Sequence, residues 1–198
     1  MKSLTKFFLF VPVMFMSLTA CGAKLDESAA LERANSYSVS EVETNYKSVD
    51  VKFESKINKN TGVFADDGLM SIITLLLKEA TNTDEKNLPV EEYVFTKDSI
   101  SDLISDFAFE TEDAVADVTY YAYKGNGLKV DAKASSEGEE DEGTYKVNVK
   151  ATMYVLDDGR IEKMSGSMLM DFKGESMGVS IEGVLDFSFT ATLKWNAA

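Results

Sequence analysis

From Val179 to Trp195 every odd position is apolar or glycine: Val179, Ile181, Gly183, Leu185, Phe187, Phe189, Ala191, Leu193 and Trp195. The even positions are polar apart from Val184. A period of two sustained this long marks a strand with one buried and one wet face. At about 3.3 Å per residue the run reaches about 56 Å, well beyond ordinary strands of about 3 to 10 residues, so it has to curve around something. Gly183 is the expected place for the bend.

The same period recurs upstream. Val49, Val51, Phe53, Ser55 and Ile57 alternate with charged residues, and Asn58 to Gly62 has the composition of a turn. Val118 to Lys124 and Leu128 to Ala134 flank Gly125-Asn126-Gly127, whose Asn-Gly pair accepts the positive φ angles of a tight hairpin. Gly138 to Gly143 reads as an acidic hairpin loop, Tyr145 to Leu156 alternates again, and Asp157-Asp158-Gly159 turns the chain. After Ile161 the sequence places Glu162, Met164, Gly166, Met168, Met170 and Phe172 on one parity. The apolar face therefore shifts near Arg160, which predicts a bulge or a longer turn. Gly174 to Gly178 forms the last turn. At least four consecutive long strands in tight succession make an antiparallel meander, and no βαβ rhythm appears.

A sheet with one greasy face needs a cover. Residues 22–30 read as a tether leading into a first helix around Leu31 and Ala34, with a break at Ser36 to Ser40 before Val42 to Tyr46 as the equal alternative. Leu69, Met70, Ile72, Ile73, Leu76 and Leu77 define a wide-faced amphipathic helix. A polar loop ending at Pro89 and a short strand at Val90 to Thr96 come next. Ile100, Leu103, Ile104 and Phe107 then sit at helical spacing behind a cap at Asp98 or Ser99. The expected fold is mainly β with a few helices, an α+β half-barrel. Its long curved antiparallel sheet is covered on the apolar face by two or three helices. It forms one domain, 31–198, with a helical insertion at about 66–109.

The first residues speak to location. Lys2 and Lys6 precede the apolar run Phe7 to Met16, and Leu18-Thr19-Ala20-Cys21 follows. That run is too short for a stable membrane span and has the layout of a secretory signal. Leu18-Thr19-Ala20-Cys21 resembles the lipobox of bacterial lipoproteins. The resemblance implies removal of residues 1–20, a diacylglyceryl group on the Cys21 sulfur, and a tether over 21–30. Gly22 stands where aspartate marks inner-membrane retention, which implies the periplasm-facing outer membrane or the cell exterior. More than one acyl chain makes such anchoring stable. The order of lipobox, helix, long strand, helical insertion and extended meander is similar to the half-barrel lipid-carrier group of the LolA and LppX type. From that group only the fold and a lipid ligand carry over, across roughly residues 25–196.

Removing residues 1–20 takes away two lysines and no acid, leaving 18 basic against 34 acidic residues, a net charge of −16. Such a surface repels nucleic acid and anionic headgroups, so no nucleic-acid partner is expected. Cys21 is the only cysteine and there is no histidine. The domain must stand on its core alone, without disulfides or a thiol nucleophile. The commonest general base and metal ligand are missing too. No G-x-S-x-G, S-x-x-K or phosphate loop is present, so the chain reads as no enzyme, with no cofactor and no metal. The acidic run from Glu137 to Glu142 does not match a calcium loop and reads as a solvated turn.

Two candidate sites remain. The first is an apolar ligand cavity between sheet and helices, lined by Leu69, Ile73, Leu76, Met153, Met164, Met168, Met170, Ile181, Leu185, Phe187 and Phe189. Methionine adapts to flexible ligands there, although it also simply fills cores. The second is an outer surface for a protein or glycan partner, with Tyr120, Tyr121, Tyr123, Tyr145, Tyr154 and Trp195 as its aromatic content, although all of these are ordinary strand formers as well.

Overall fold

The computed structural model describes residues 22–62, 65, 88–107, 115–140, 143–176 and 178–198. Cys21, Met177 and the expected helix carrying Leu69, Ile73 and Leu76 lie outside the described residues. The chain runs through β1 (Lys24–Leu25), α1 (Glu27–Asn35), α2 (Val39–Asn45) and β2 (Tyr46–Gly62). A 3-10 turn (Val90–Tyr93) and α3 (Lys97–Phe107) follow, then β3 (Val115–Tyr123), β4 (Gly127–Glu140), β5 (Gly143–Val155), β6 (Ile161–Ser176) and β7 (Val179–Ala197). The strands form one open antiparallel sheet in the order β1-β3-β4-β5-β6-β7-β2. The fold is thus mainly β, a curved seven-stranded sheet with helices. The meander β3 to β7 is as its alternation predicts, and β2 joins it by pairing with the last strand. No described helix is long and apolar enough to cross a membrane.

Pairing carries one side-chain parity across the whole sheet. Met153 lies opposite Met164, Met164 opposite Ala191, and Ala191 opposite Phe53. Val149, Met168, Phe187 and Ile57 form a second such row, and Val147, Met170, Leu185 and Asn60 a third. The opposite face is mostly polar, rich in lysine, serine, threonine and acids, with Tyr154, Leu169 and Val184 among them. The parity shift near Arg160 is real: Tyr154 pairs with Lys163 but Val155 with Ile161, so Glu162 is the extra residue of a bulge.

Among the described residues, the helices meet this apolar face at one end. Ala30 and Ala34 of α1, Val42 of α2, Val90, Val94 and Phe95 ahead of α3, and Ile100 of α3 bury against Val49, Leu128, Val130, Val155, Ile161 and Leu193. Polar ties fix the same end. Asp26 caps α1 by accepting from the Ala29 N–H at 2.7 Å. Arg33 Nη1 donates to the Gly127 carbonyl at 2.8 Å, clamping the β3–β4 turn. Trp195 Nε1 donates to the Ile161 carbonyl at 2.9 Å.

Several expectations are corrected. Residues 24–30 are not tether: they form β1 and the start of α1, and Ala30 is fully buried. Asn58 to Gly62 is not a turn, because a bulge between Ile57 and Lys59 keeps β2 paired with β7 as far as Gly62. Val90 to Thr96 is not a strand: Val90–Tyr93 forms a 3-10 turn, and Val94 makes an isolated bridge to Arg160 in the β5–β6 turn. Phe95 donates its N–H to the Gly159 carbonyl at 2.7 Å instead of entering a ladder. In the β3–β4 hairpin the positive φ falls on Gly125, at 62°, and not on Gly127, which pairs with Tyr123. The β4–β5 and β6–β7 connections are tighter than their glycines indicate, since Gly138 and Gly174 both pair within the sheet. At α3 the reach-back cap comes from Ser99, whose Oγ accepts from the Thr96 N–H at 3.0 Å.

Candidate functional site

The structure brings Met153, Met164, Met168, Met170, Ile181, Leu185, Phe187 and Phe189 onto one face. Leu185 and Phe187 are buried, and the other six are half-buried. Met153 and Met164 pack against the helix-backed core, whereas Met168, Met170, Ile181 and Phe189 stand beyond it. Aromatic rings concentrate there: Phe189 stacks on Phe53 at 5.7 Å and on Phe187 at 6.4 Å. Glycine makes room for them. A Cβ on Gly166 would lie 2.8 Å from Cζ of Phe189 and closer still to its Cε1, so the ring rests on the glycine opposite it. Gly138 holds the Tyr145 ring in the same way, with Cζ at 2.9 Å. In this strip the Asn60 Oδ1 is buried without a hydrogen-bond partner among the described residues.

A hollow of about 730 Å³ opens at the end of the sheet away from α1, α2 and α3, and none of the described residues of the predicted cavity lines it. The cross-strand rows Glu137-Lys146-Asp171-Val184-Thr61 and Thr144-Lys173-Glu182 supply most of its walls. Those rows belong to the polar face, but Tyr145, Phe172 and three glycines, Gly62, Gly138 and Gly183, line it as well, so the hollow is mixed in character. Lys146 is paired there with Glu137 at 3.0 Å, which gives that member of the acidic run an ordinary ion-pair role.

The tyrosines divide between faces. Tyr120, Tyr145 and Trp195 take the apolar parity, whereas Tyr121, Tyr123 and Tyr154 share the polar face near the β3–β4 turn. Tyr123 and Tyr154 meet edge-on at 5.3 Å, and Lys129 Nζ lies 5.0 Å above the Tyr121 ring while pairing with Asp131 at 2.7 Å. The bulge aims Glu162 into this group, where it accepts from Lys124 Nζ at 2.7 Å and from the Tyr123 hydroxyl. These two hydrogen bonds hold the Glu162 carboxyl below the usual carboxylate range. The Asp131 bond raises the Lys129 ammonium.

Next to α2, Arg160 is a residue the sequence reading passed over except as the point of parity shift. Its Nε donates to Asp158 at 2.7 Å, and its guanidinium lies 4.4 Å from the Tyr46 ring and 5.8 Å from Trp195. This wedge fastens the β5–β6 turn to the end of β7. Compared with family models, curated proteins and solved structures, the chain matches none.

Proposed function

We propose that the chain is a lipid-anchored, non-enzymatic envelope or cell-surface protein whose apolar sheet face takes up a lipid or another hydrophobic molecule. One observation carries this reading: the apolar parity continues past the helix-backed core through Met168, Met170, Ile181 and Phe189. These half-buried side chains offer apolar contacts to a hydrophobic ligand, and the methionines adapt them to flexible chains. Asn60 Oδ1 supplies an acceptor within the strip for a ligand hydroxyl or amide.

The anchor fits the fold in a specific way. Gly22 donates its N–H to the Ala122 carbonyl at 2.9 Å, and Ala122 donates to Ala23 at 2.8 Å. A lipid on Cys21 therefore leaves no free linker, and the β1–β3 edge rests against the membrane. Replacing Cys21→Ser is expected to move the protein out of the membrane fraction and to abolish palmitate labelling. For the ligand, native mass spectrometry with lipid extraction on a form starting at Gly22 is expected to show a stoichiometric adduct that Met168→Trp removes. A clean ligand-free mass, with no thermal stabilisation across a panel of lipids and fatty acids, overturns uptake on this face.

A second reading has its own observation. Tyr121, Tyr123 and Tyr154 with Lys124 and Lys129 form an aromatic and cationic patch on the polar face. Half-exposed tyrosines of this kind suit a protein or glycan partner.

A further inference from the structure

On the polar face, Lys133 and Lys150 lie directly opposite each other across β4 and β5. Like charges in that arrangement repel, and a chain with 34 acidic residues has ample material to avoid it. We infer that the pair belongs to a binding field for an anionic polysaccharide, laid across the middle of the sheet from β4 to β2.

The strand register assembles the field. The row Lys133-Lys150-Ser167-Ser188-Lys56 runs beside the row Asp131-Thr152-Ser165-Thr190-Glu54, and Lys163 stands one row further on, next to Ser165 along β6. Between the two rows a shallow hollow of about 270 Å³ is lined by Lys150 and by Thr152, Ser165, Ser167, Ser188 and Thr190. Lys56, Lys133, Lys150 and Lys163 are all exposed in the folded chain, so a ligand in solution can reach them.

Positive charge is left over there. Asp131 and Glu54, the carboxylates of the second row, are each held by a lysine of their own, Lys129 at 2.7 Å and Lys52 at 2.7 Å. No ion pair reaches Lys56, Lys133, Lys150 or Lys163 among the described residues. Asp117 lies opposite Lys133 on β3 without forming one, and Asp186, further along β7, accepts from Asn58 at 3.0 Å. Glu137, where the acidic run begins, is about 14 Å along β4 from Lys133, beyond a Debye length of about 8 Å. Four uncompensated ammonium groups therefore surround the hollow.

The hydroxyls between them decide the kind of anion. Thr152 donates to Asp131 and Ser188 to the Lys56 carbonyl, whereas the hydroxyls of Ser165, Ser167 and Thr190 have no partner among the described residues. Lys150 and Lys56 stand three strand spacings apart, about 14 Å, with Ser167 and Ser188 between them. A chain that carries carboxylates at intervals and sugar hydroxyls in between meets ammonium groups at both ends and hydroxyls in the middle. A nucleic acid matches less well, because its charge is denser and neither row holds an aromatic ring on which a base could stack. The inference uses neither lipid uptake on the opposite face nor the tyrosine patch, although it gives the second reading above a ligand class.

Titrating the full chain, in non-ionic detergent, with fluorescently labelled alginate oligosaccharide tests this, with neutral dextran and double-stranded DNA as comparators. Alginate, a polyuronate, is expected to bind and to bind more weakly as salt rises from about 50 to about 300 mM. Lys133→Gln with Lys150→Gln is expected to weaken binding about tenfold or more. Lys47→Gln with Lys97→Gln removes two exposed lysines away from the field and is expected to change it less than about twofold. Because the first pair of substitutions relieves a repulsion, that variant is expected to melt no lower than the parent, which separates loss of the site from loss of the fold. Ser165→Ala with Ser167→Ala is expected to cost about threefold or more in alginate affinity. No alginate binding, equal loss from both lysine pairs, indifference to the serine pair, or binding of dextran or DNA at least as tight as that of alginate overturns the inference. Loss with Tyr121→Ala at full binding by the Lys133 and Lys150 variant also overturns it, and leaves the tyrosine patch as the site.

Discussion

Gly166→Ala measures how the apolar face is assembled. The Phe189 ring lies directly over Gly166, across the β6–β7 pair. A methyl there meets Cζ at 2.8 Å and Cε1 nearer, so the ring has to leave. Its departure loosens the stacks on Phe53 and Phe187. Overpacking costs about 1–3 kcal/mol, and a lost aromatic pair adds about 0.5–1.5 kcal/mol. Against this, alanine regains about 0.5–1 kcal/mol over glycine in a strand interior. The net expectation is destabilisation by about 0.5–4 kcal/mol, centred near 2, read as a lowered urea midpoint at unchanged slope. The same substitution made in a Phe189→Leu background meets a side chain able to turn aside. There its cost is expected to fall by at least about 1 kcal/mol, a coupling that a double-mutant cycle isolates. The remaining neighbour, the Lys150 carbonyl at 3.2 Å, gives by a few tenths of an ångström in both backgrounds. Equal costs in the two backgrounds refute the ring-on-glycine arrangement, and with it this account of why glycine interrupts an otherwise apolar row.

Leu128 is fully buried and lies opposite Val155 where the helices meet the sheet, so Leu128→Ala is expected to cost about 2–5 kcal/mol in urea unfolding. Ile57→Ala, at an exposed edge position, is expected to stay within about 0.5 kcal/mol for the monomer. Glu162→Gln removes an acceptor whose carboxyl is held low by Lys124 and Tyr123. A carboxyl depressed by folding stabilises above its ordinary value of about 4.5 and loses that contribution as pH falls through the folded value. Because the Glu162 side chain is 36% exposed, the difference between Glu162→Gln and the parent is expected to stay under about 1 kcal/mol near neutrality and to vanish as pH falls through the depressed folded value. A difference that persists in acid refutes the ion-pair origin.

The two faces of the sheet were legible in the sequence because side-chain parity is a local property: any strand segment reports it without knowledge of its neighbours. That is why Met153 to Phe189 fall together as expected, and why the parity break at Arg160 located the Glu162 bulge. What depends on the partner strand was not legible. Asn58 to Gly62 has turn composition, yet the long β7 offers backbone opposite it, and one bulge keeps β2 in register. The tether failed for the same reason. Leu25 to Ala34 looks loosely amphipathic by itself, but Arg33 has a hairpin to clamp and Ala122 takes one hydrogen bond from Gly22 and gives one to Ala23. The tyrosines show the limit from the other side. Tyr120 and Tyr121 are adjacent in sequence and opposite in space, so a composition-level aromatic platform resolves into three rings on each face. Only the polar-face set, Tyr121, Tyr123 and Tyr154, sits beside lysines, and what draws Glu162 to it is a bulge eight residues beyond Tyr154. A surface of that kind arises from pairing register, and its chemistry becomes readable only once each strand's partner is known.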